Sequence, residues 1–302
     1  MSGATARCMT GLVTRFAPSP SGRLHLGHAY SADIAWRAAR ESGGRFLLRI
    51  EDIDTGRCRP EFEHAIYEDL GWLGIDWDPP VWRQSERMTQ YAAALYRLRQ
   101  MDLLYPCFCT RKDIQAEIAG ADHAPQGPEG LIYPGTCERL DDAERARRLA
   151  AGLPYALRLR TDAAARRAGP LFFEDDAAGR VTVDATPFGD VVLARKDTPT
   201  SYHLAVVVDD AAQHVTLVIR GRDLLHATHL QRVLQALLEL PAPSYRHHAL
   251  IADEAGRRLA KRDRAKTIAA LREAGHSPDD IRRMWEKSKR VPETPAPGRQ
   301  GA

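Results

Sequence analysis

The stretch from Gly11 to Gly44, GLVTRFAPSPSGRLHLGHAYSADIAWRAARESGG, constrains the fold more than any other part of the chain. Its first apolar run, GLVTRFAP, is stopped by Pro18 and Pro20, because proline lacks the backbone donor that a strand ladder needs. A turn rich in glycine and histidine follows. The next segment, HAYSADIAWRAARESGG, has apolar positions Ala29, Ala32, Ile34, Ala35, Trp36 and Ala39 that include helical spacings. Gly43 can take the left-handed conformation that ends such a helix. RFLLRI then reads as a second buried strand. PEFEHAIYEDLGWLG reads as a second helix with Pro60 in its first turn, and SERMTQYAAALYRLRQMD fits a third. Strands alternating with helices predict a parallel α/β sheet, whose ligands sit beyond the carboxyl ends of the strands. The turn at His25 lies at that place.

From Tyr105 the rhythm changes. YPCFCTRKD and the Pro- and Gly-rich segment after it have no clear period, and ERARRLAAGL and YALRLRTD read as a helix and an alternating strand. Residues 105–189 are therefore expected to form an insertion between a first half, 1–104, and a second half, 190–250. The second half holds DVVLARKD, the apolar run LAVVVDD, the strand VTLVIRG and the helix DLLHATHLQRVLQALLEL. Residues 251–302 are expected to supply a basic loop, one helix (AKTIAALREAG) and a disordered tail, VPETPAPGRQGA.

With 44% hydrophobic and 27% charged residues over 302 positions, the chain has a soluble globular composition. It contains no apolar run near the ~20 residues of a membrane span, and its N-terminus does not resemble a secretory signal. Five cysteines, an odd number, argue against a disulfide framework, so a cytoplasmic location and no membrane partner are expected. The net charge of +3 says little about partners. GRRLAKRDRAK, Gly256 to Lys266, says more: six basic residues against one acidic make either a solvated face or a site for phosphates or nucleic acid.

Two local groups bear chemistry. His25, Gly27 and His28 open the first helix, where backbone donors and close approach suit an anionic phosphate. The same spacing also permits a capping role or a metal pair. Cys107, Cys109 and Cys137 supply three thiols, one short of a tetrahedral zinc site, and His123 and Tyr133 are the choices for a fourth ligand. Buried thiols with no metal are the alternative.

RFAPSPSGRLHLGH resembles the first signature of class I aminoacyl-tRNA synthetases in its glutamyl form. LLRIEDID, SYHLAVVVDD and VIRGRDLL resemble that family's second element and later active-site strands, and RLAKR, Arg258 to Arg262, stands in the place of its KMSKS loop. The family loop has two lysines around a Met-Ser pair; here only the second lysine, Lys261, is kept. The resemblance runs from about Arg15 to Lys266 and implies a Rossmann-like catalytic domain of α/β class. That domain would join L-glutamate to ATP as glutamyl-adenylate, with Mg(2+) accompanying the nucleotide. His25, Gly27, His28 and Lys261 would contact ATP, with His25, His28 and Lys261 catalytic. Arg15 and Arg220 would meet the substrate carboxylate and Glu51 the ammonium, while Phe16, Ala17, Pro18, Ser19 and Tyr202 line the pocket. For Glu51 the sequence leaves an alternative, a salt bridge to Arg49.

CFCT…YPGTC resembles the insertion of the glutamyl-Q tRNA(Asp) synthetase family, which implies one structural zinc held by Cys107, Cys109, Tyr133 and Cys137. About forty residues follow Lys261, so the expectation is a short helical segment with no anticodon-binding domain. The family resemblance implies transfer of glutamate to the queuosine base in the anticodon of tRNA(Asp), by a monomer. The alternatives are transfer to the 3′ end of tRNA(Glu) or to a non-RNA acceptor, and an inactive RNA-binding paralogue.

Overall fold

A computed structural model describes residues 11–119, 126–128, 130–251 and 267–288. His123, the RLAKR segment with Lys261, and the tail lie outside the described residues. In chain order the elements are β1 (Val13–Phe16), α1 (Leu26–Glu41), β2 (Arg45–Ile50), α2 (Pro60–Trp72), β3 (Asp78–Arg83), α3 (Met88–Gln100) and β4 (Leu104–Cys107). There follow α4 (Arg111–Ala119), β5 (Gln126–Gly127), β6 (Gly130–Leu131), α5 (Asp142–Ala150), β7 (Ala156–Leu159), α6 (Thr161–Ala168), β8 (Phe172–Asp175) and β9 (Gly179–Thr182). The chain continues with β10 (Val192–Ala194), α7 (Tyr202–Ala212), β11 (Leu217–Gly221), α8 (Leu225–Leu237), β12 (Ser244–His248), α9 (Ile268–Glu273) and α10 (Pro278–Lys287).

The parallel sheet is present, in two parts. β1 and β3 flank β2 in parallel, and β12 lies between β11 and β8, parallel to both. The two parts meet where Thr216, just before β11, donates its N–H to the Val13 carbonyl of β1 at 2.9 Å. This is the switch point of a doubly wound sheet, with β2 and β3 leading away on one side and β12 on the other. A ligand cleft is expected there, past the carboxyl ends of β1 and β11. β2 is buried along nearly its whole length, as a strand covered on both faces must be. α1 lies on β1 through small side chains, Ala29, Ala32, Ala35 and Ala39, all almost fully buried. Gly43 ends that helix with φ +66°, the left-handed value that favours glycine.

The segment 105–189 contributes to both sheets. β4, β7 and β10 form a separate antiparallel sheet, whereas β8 returns to pair with β12. Its backbone register sets Asp175 opposite Tyr245.

SYHLAVVVDD does not supply an active-site strand. It forms α7, with Ser201 at the N-cap and Tyr202 in the first position. His203 through Val207 are all buried, because α7 is packed between α3, α8 and the antiparallel sheet. An apolar run without periodicity is compatible with a buried strand or a buried helix, and here packing decides for the helix. Among the described residues after 266 there are two helices, α9 and α10, where one was expected. Ile268, Ile281 and Trp285 from them join the core around α1.

Candidate active site

A cleft of about 680 Å³ opens at the switch point. β1 and the following residue give it Arg15, Phe16 and Ala17; α1 gives His25, Gly27 and His28; β11 gives Arg220; Glu51 and Tyr202 complete the set. Thus most of the residues expected to meet ATP and glutamate, drawn from positions 15 to 220, line one cavity. Ser19 lines a smaller adjoining cavity of about 150 Å³, which shares Glu51 and Tyr202 with the first. The Pro18 side chain lines neither, and its carbonyl accepts the Glu51 N–H at 3.0 Å. Lys261 lies outside the described residues, as does His123.

The two histidines are fixed by the helix start. His25 is the N-cap of α1, and its Nδ1 accepts the Gly27 N–H at 3.1 Å. The His28 Nδ1 accepts the His25 N–H at 3.4 Å, and the rings stack with centroids 3.7 Å apart. An imidazole that accepts at Nδ1 carries its proton on Nε2, so each ring presents a donor there. Gly27 permits the arrangement, since a Cβ at that position would lie 3.1 Å from the His25 Cε1. Among the described residues the pair belongs to no group of three ligands placed to hold a metal. The capping role is therefore present, and among the described residues the metal-pair alternative has no third ligand there.

The two arginines of the cleft differ sharply. Arg15 is tied to Asp210, with Nε to Oδ1 at 3.1 Å and Nη2 to Oδ2 at 3.4 Å. Asp210 also binds the Arg49 Nη2 at 2.6 Å. Burial opposes ionisation of Asp210, but Arg15 and Arg49 together hold its carboxyl below the usual range. Arg220 is bonded to Tyr202, Thr228, Gln231 and His247, all neutral, and has no carboxylate partner among the described residues.

Glu51 is only 4.0 Å from Arg49 at its nearest, and the short bonds of Arg49 go to Asp210 and to Gln213, the latter at 2.7 Å. The salt-bridge alternative for Glu51 is thus a long contact without a hydrogen bond. Burial pushes its pKa up to about 7, against the pull of Arg49 and Arg15. A carboxylate held at that balance gains from a cation arriving in the cleft.

Sequence reasoning missed Asp209 and Asp210. Asp209 accepts from Arg87, Gln84 and Tyr91, and Asp210 joins Arg15 to Arg49. The signal was two acids closing an apolar run, a pattern that costs too much inside a core unless cations meet it. His247 and Asp175 were missed as well.

Away from the cleft, the Sγ atoms of Cys107, Cys109 and Cys137 all lie within 4.8 Å of one another, a group able to hold a metal ion. The Tyr133 Oη lies 3.5 Å from both the Cys107 and the Cys109 Sγ, and accepts the Cys137 N–H at 2.8 Å. A second large cavity, about 520 Å³, is lined by Tyr133, Arg158, Arg195, Ser201, Tyr202 and His203, among others. Tyr202 is common to both large cavities.

Residues 11–287 match the catalytic domain of tRNA synthetases class I (E and Q). A glutamyl-Q tRNA(Asp) synthetase from Rhodobacter capsulatus is 53% identical over 280 residues, 90% of this chain and 99% of that protein. One from Nocardia farcinica is 49% identical, over 93% of this chain and 86% of that protein. Among solved structures, the glutamate tRNA ligase of Elizabethkingia meningosepticum, in complex with its amino acid, is similar with a TM-score of 0.76 and 28% identity. That match covers 92% of this chain, which spans about three fifths (60%) of the ligase. The chain belongs to the class I aminoacyl-tRNA synthetases for glutamate and glutamine, and within them to the glutamyl-Q tRNA(Asp) synthetase family.

Proposed function

We propose that this chain activates L-glutamate with ATP, without requiring RNA, and transfers the glutamyl group to the queuosine base in the anticodon of tRNA(Asp). The observation that carries the first step is the convergence of Arg220, Tyr202 and Glu51 with the stacked His25 and His28 in one cleft. Arg220 supplies a charge for the side-chain carboxylate, and Glu51 supplies one for the ammonium. Arg15, bound to Asp210, braces the same wall. The α-carboxylate then attacks the α-phosphorus of ATP, and the bond to pyrophosphate breaks. No protein nucleophile is needed, so orientation and charge stabilisation do the work. The Nε2–H groups of His25 and His28 meet phosphate oxygens, and Lys261 stabilises the departing pyrophosphate. Mg(2+) travels with the nucleotide.

In the second step a hydroxyl of the modified base attacks the glutamyl carbonyl and AMP leaves. The name borne by relatives of similar length supports this acceptor. The second large cavity supports it too, because it shares Tyr202 with the first and carries Arg158, Arg195 and His203. Such a wall suits an unstacked base with its phosphates.

We assign zinc to the thiol cluster, with Tyr133 as fourth ligand. A tetrahedral ion with Zn–S of ~2.3 Å and Zn–O of ~2.0 Å separates sulfur from oxygen by roughly 3.5 Å, and the Tyr133 Oη stands 3.5 Å from two of the sulfurs. The ion would act structurally. We place the protein in the cytoplasm, where such thiols stay reduced, as a monomer. The test of the first step is glutamate-dependent exchange between pyrophosphate and ATP in the absence of RNA; no exchange from the purified protein would refute it.

A further inference from the structure

Arg220 is buried, with 6% exposure, yet every side chain bonded to it is neutral. Nε donates to the His247 Nε2 at 3.1 Å, Nη1 to the Tyr202 Oη at 3.3 Å, and Nη2 to the Thr228 Oγ1 at 2.7 Å and the Gln231 Oε1 at 2.9 Å. A guanidinium has five N–H donors. Four are occupied, and the fifth is on Nη1, the nitrogen that also holds Tyr202. Both Arg220 and Tyr202 line the large cleft. A ligand there is met by that N–H and by the Tyr202 hydroxyl, which accepts from Arg220 and so can donate outward.

The His247 nitrogen facing Arg220 is an acceptor because of Asp175. The His247 Nδ1 lies 2.7 Å from the Asp175 Oδ2, and both side chains are 1% exposed. A carboxylate can only accept, so the imidazole proton sits on Nδ1 and leaves Nε2 with its lone pair toward Arg220. Asp175 also accepts the N–H groups of Ala177 and Ala178, each at 3.0 Å, and of His247 at 3.2 Å. Burial opposes its ionisation, but the Ala178 and Ala177 N–H groups and His247 outweigh burial and keep its carboxyl below the usual range. Burial and the charge of Arg220 push His247 down to about 4. Thr228 on α8 lies 3.3 Å from the His247 Nε2, His248 next in β12 adds a further influence against protonation of the ring, and Tyr245 stacks on it.

Arg15, in the same cleft, is bound instead by the carboxylate of Asp210. A carboxylate at position 247 would hold Arg220 as firmly as the imidazole does, and would cancel its charge. We propose that Asp175 and His247 are positioning residues that set the cleft's preference for an acidic over an amide substrate: they fix Arg220 through a neutral acceptor, so that its charge is met by the substrate's own carboxylate. The proposal rests on the reading of glutamate as the activated substrate.

The test is pyrophosphate exchange with L-glutamate and L-glutamine, on the full chain. Wild-type protein without glutamate-dependent exchange overturns the reading of the substrate and this proposal with it. Where wild type exchanges, His247→Leu raises the glutamate KM by about tenfold or more and lowers the glutamate-to-glutamine ratio of kcat/KM, with the ATP KM unchanged. His247→Gln, whose amide oxygen can accept near the Nε2 position, recovers most of both. Asp175→Asn, which no longer fixes the imidazole proton, moves both in the same direction as His247→Leu. Equal KM values for the Leu and Gln variants, or losses confined to kcat or thermal stability with the substrate ratio unchanged, overturn the proposal alone.

Discussion

Thr267 forms an antiparallel bridge with His25, and the next residue, Ile268, donates its N–H to the Leu24 carbonyl at 2.9 Å. Of the described residues that flank the segment carrying Lys261, Ile251 lines the cleft and Thr267 bridges the residue that caps α1.

The proposed role of Lys261 and His25 on the phosphates can be tested at both residues. Lys261→Ala and His25→Ala are each expected to lower kcat for glutamate-dependent exchange by about a hundredfold or more, as loss of a charge-stabilising group does. The glutamate KM is expected to change little. Exchange kinetics at saturating ATP check both.

Glu51 predicts a pH dependence. Its pKa lies near 7 because burial disfavours the charge, and the ammonium of glutamate favours it. The glutamate KM should therefore rise as pH falls below about 7, approaching tenfold per unit, and Glu51→Gln should give a high KM without that slope. The sign for stability is opposite. A carboxyl whose folded pKa exceeds its unfolded value holds its proton better when folded, so its contribution is lost as pH rises from about 4.5 to 7. Glu51→Gln should raise Tm relative to wild type at pH 8 and not at pH 4, measured by calorimetry.

Asp210 holds two buried guanidiniums, those of Arg15 and Arg49. Asp210→Asn removes the carboxylate bound to Arg15 and the shortest ion pair of Arg49, which keeps only Asp209 at 3.9 Å and Glu51 at 4.0 Å, and should cost about 3–5 kcal/mol, the range for breaking a buried ion pair. Urea unfolding measures it. A loss below about 1 kcal/mol would mean that the network is solvated on demand.

The thiol cluster and the second large cavity share Tyr133, and the Arg158 guanidinium lies over its ring, 3.8 Å from the centroid. If the cluster holds the proposed zinc, removing it should weaken transfer to RNA while leaving RNA-free exchange largely intact. Cys137→Ser and Tyr133→Phe should both lower bound zinc, and His123→Ala should not. Metal analysis of the three variants decides the fourth ligand.

The start of the fold was legible because its signals are local. Prolines stop β1, His25 caps α1, and Gly43 ends it with a positive φ. Glu51, Tyr202 and Arg220 are named by the resemblance of their segments to the family motifs, not by local pattern, and they line one cleft with the opening stretch. LAVVVDD was not legible, since a run buried on every side has no period. Nor was the role of Asp210, whose partners Arg15 and Arg49 stand 195 and 161 residues away. His247 needs Asp175, and the two meet only because β8 returns to lie along β12. Such contacts follow from topology, which local sequence does not state.

The proposed acceptor is tested most directly by glutamate transfer to matched tRNA(Asp) with and without queuosine, using labelled glutamate and periodate treatment of the RNA 3′ end. Label is expected only on queuosine-containing tRNA, and retained when the 3′ terminus is oxidised. Label that appears on queuosine-free tRNA, or that depends on an intact 3′ terminus, would contradict that acceptor.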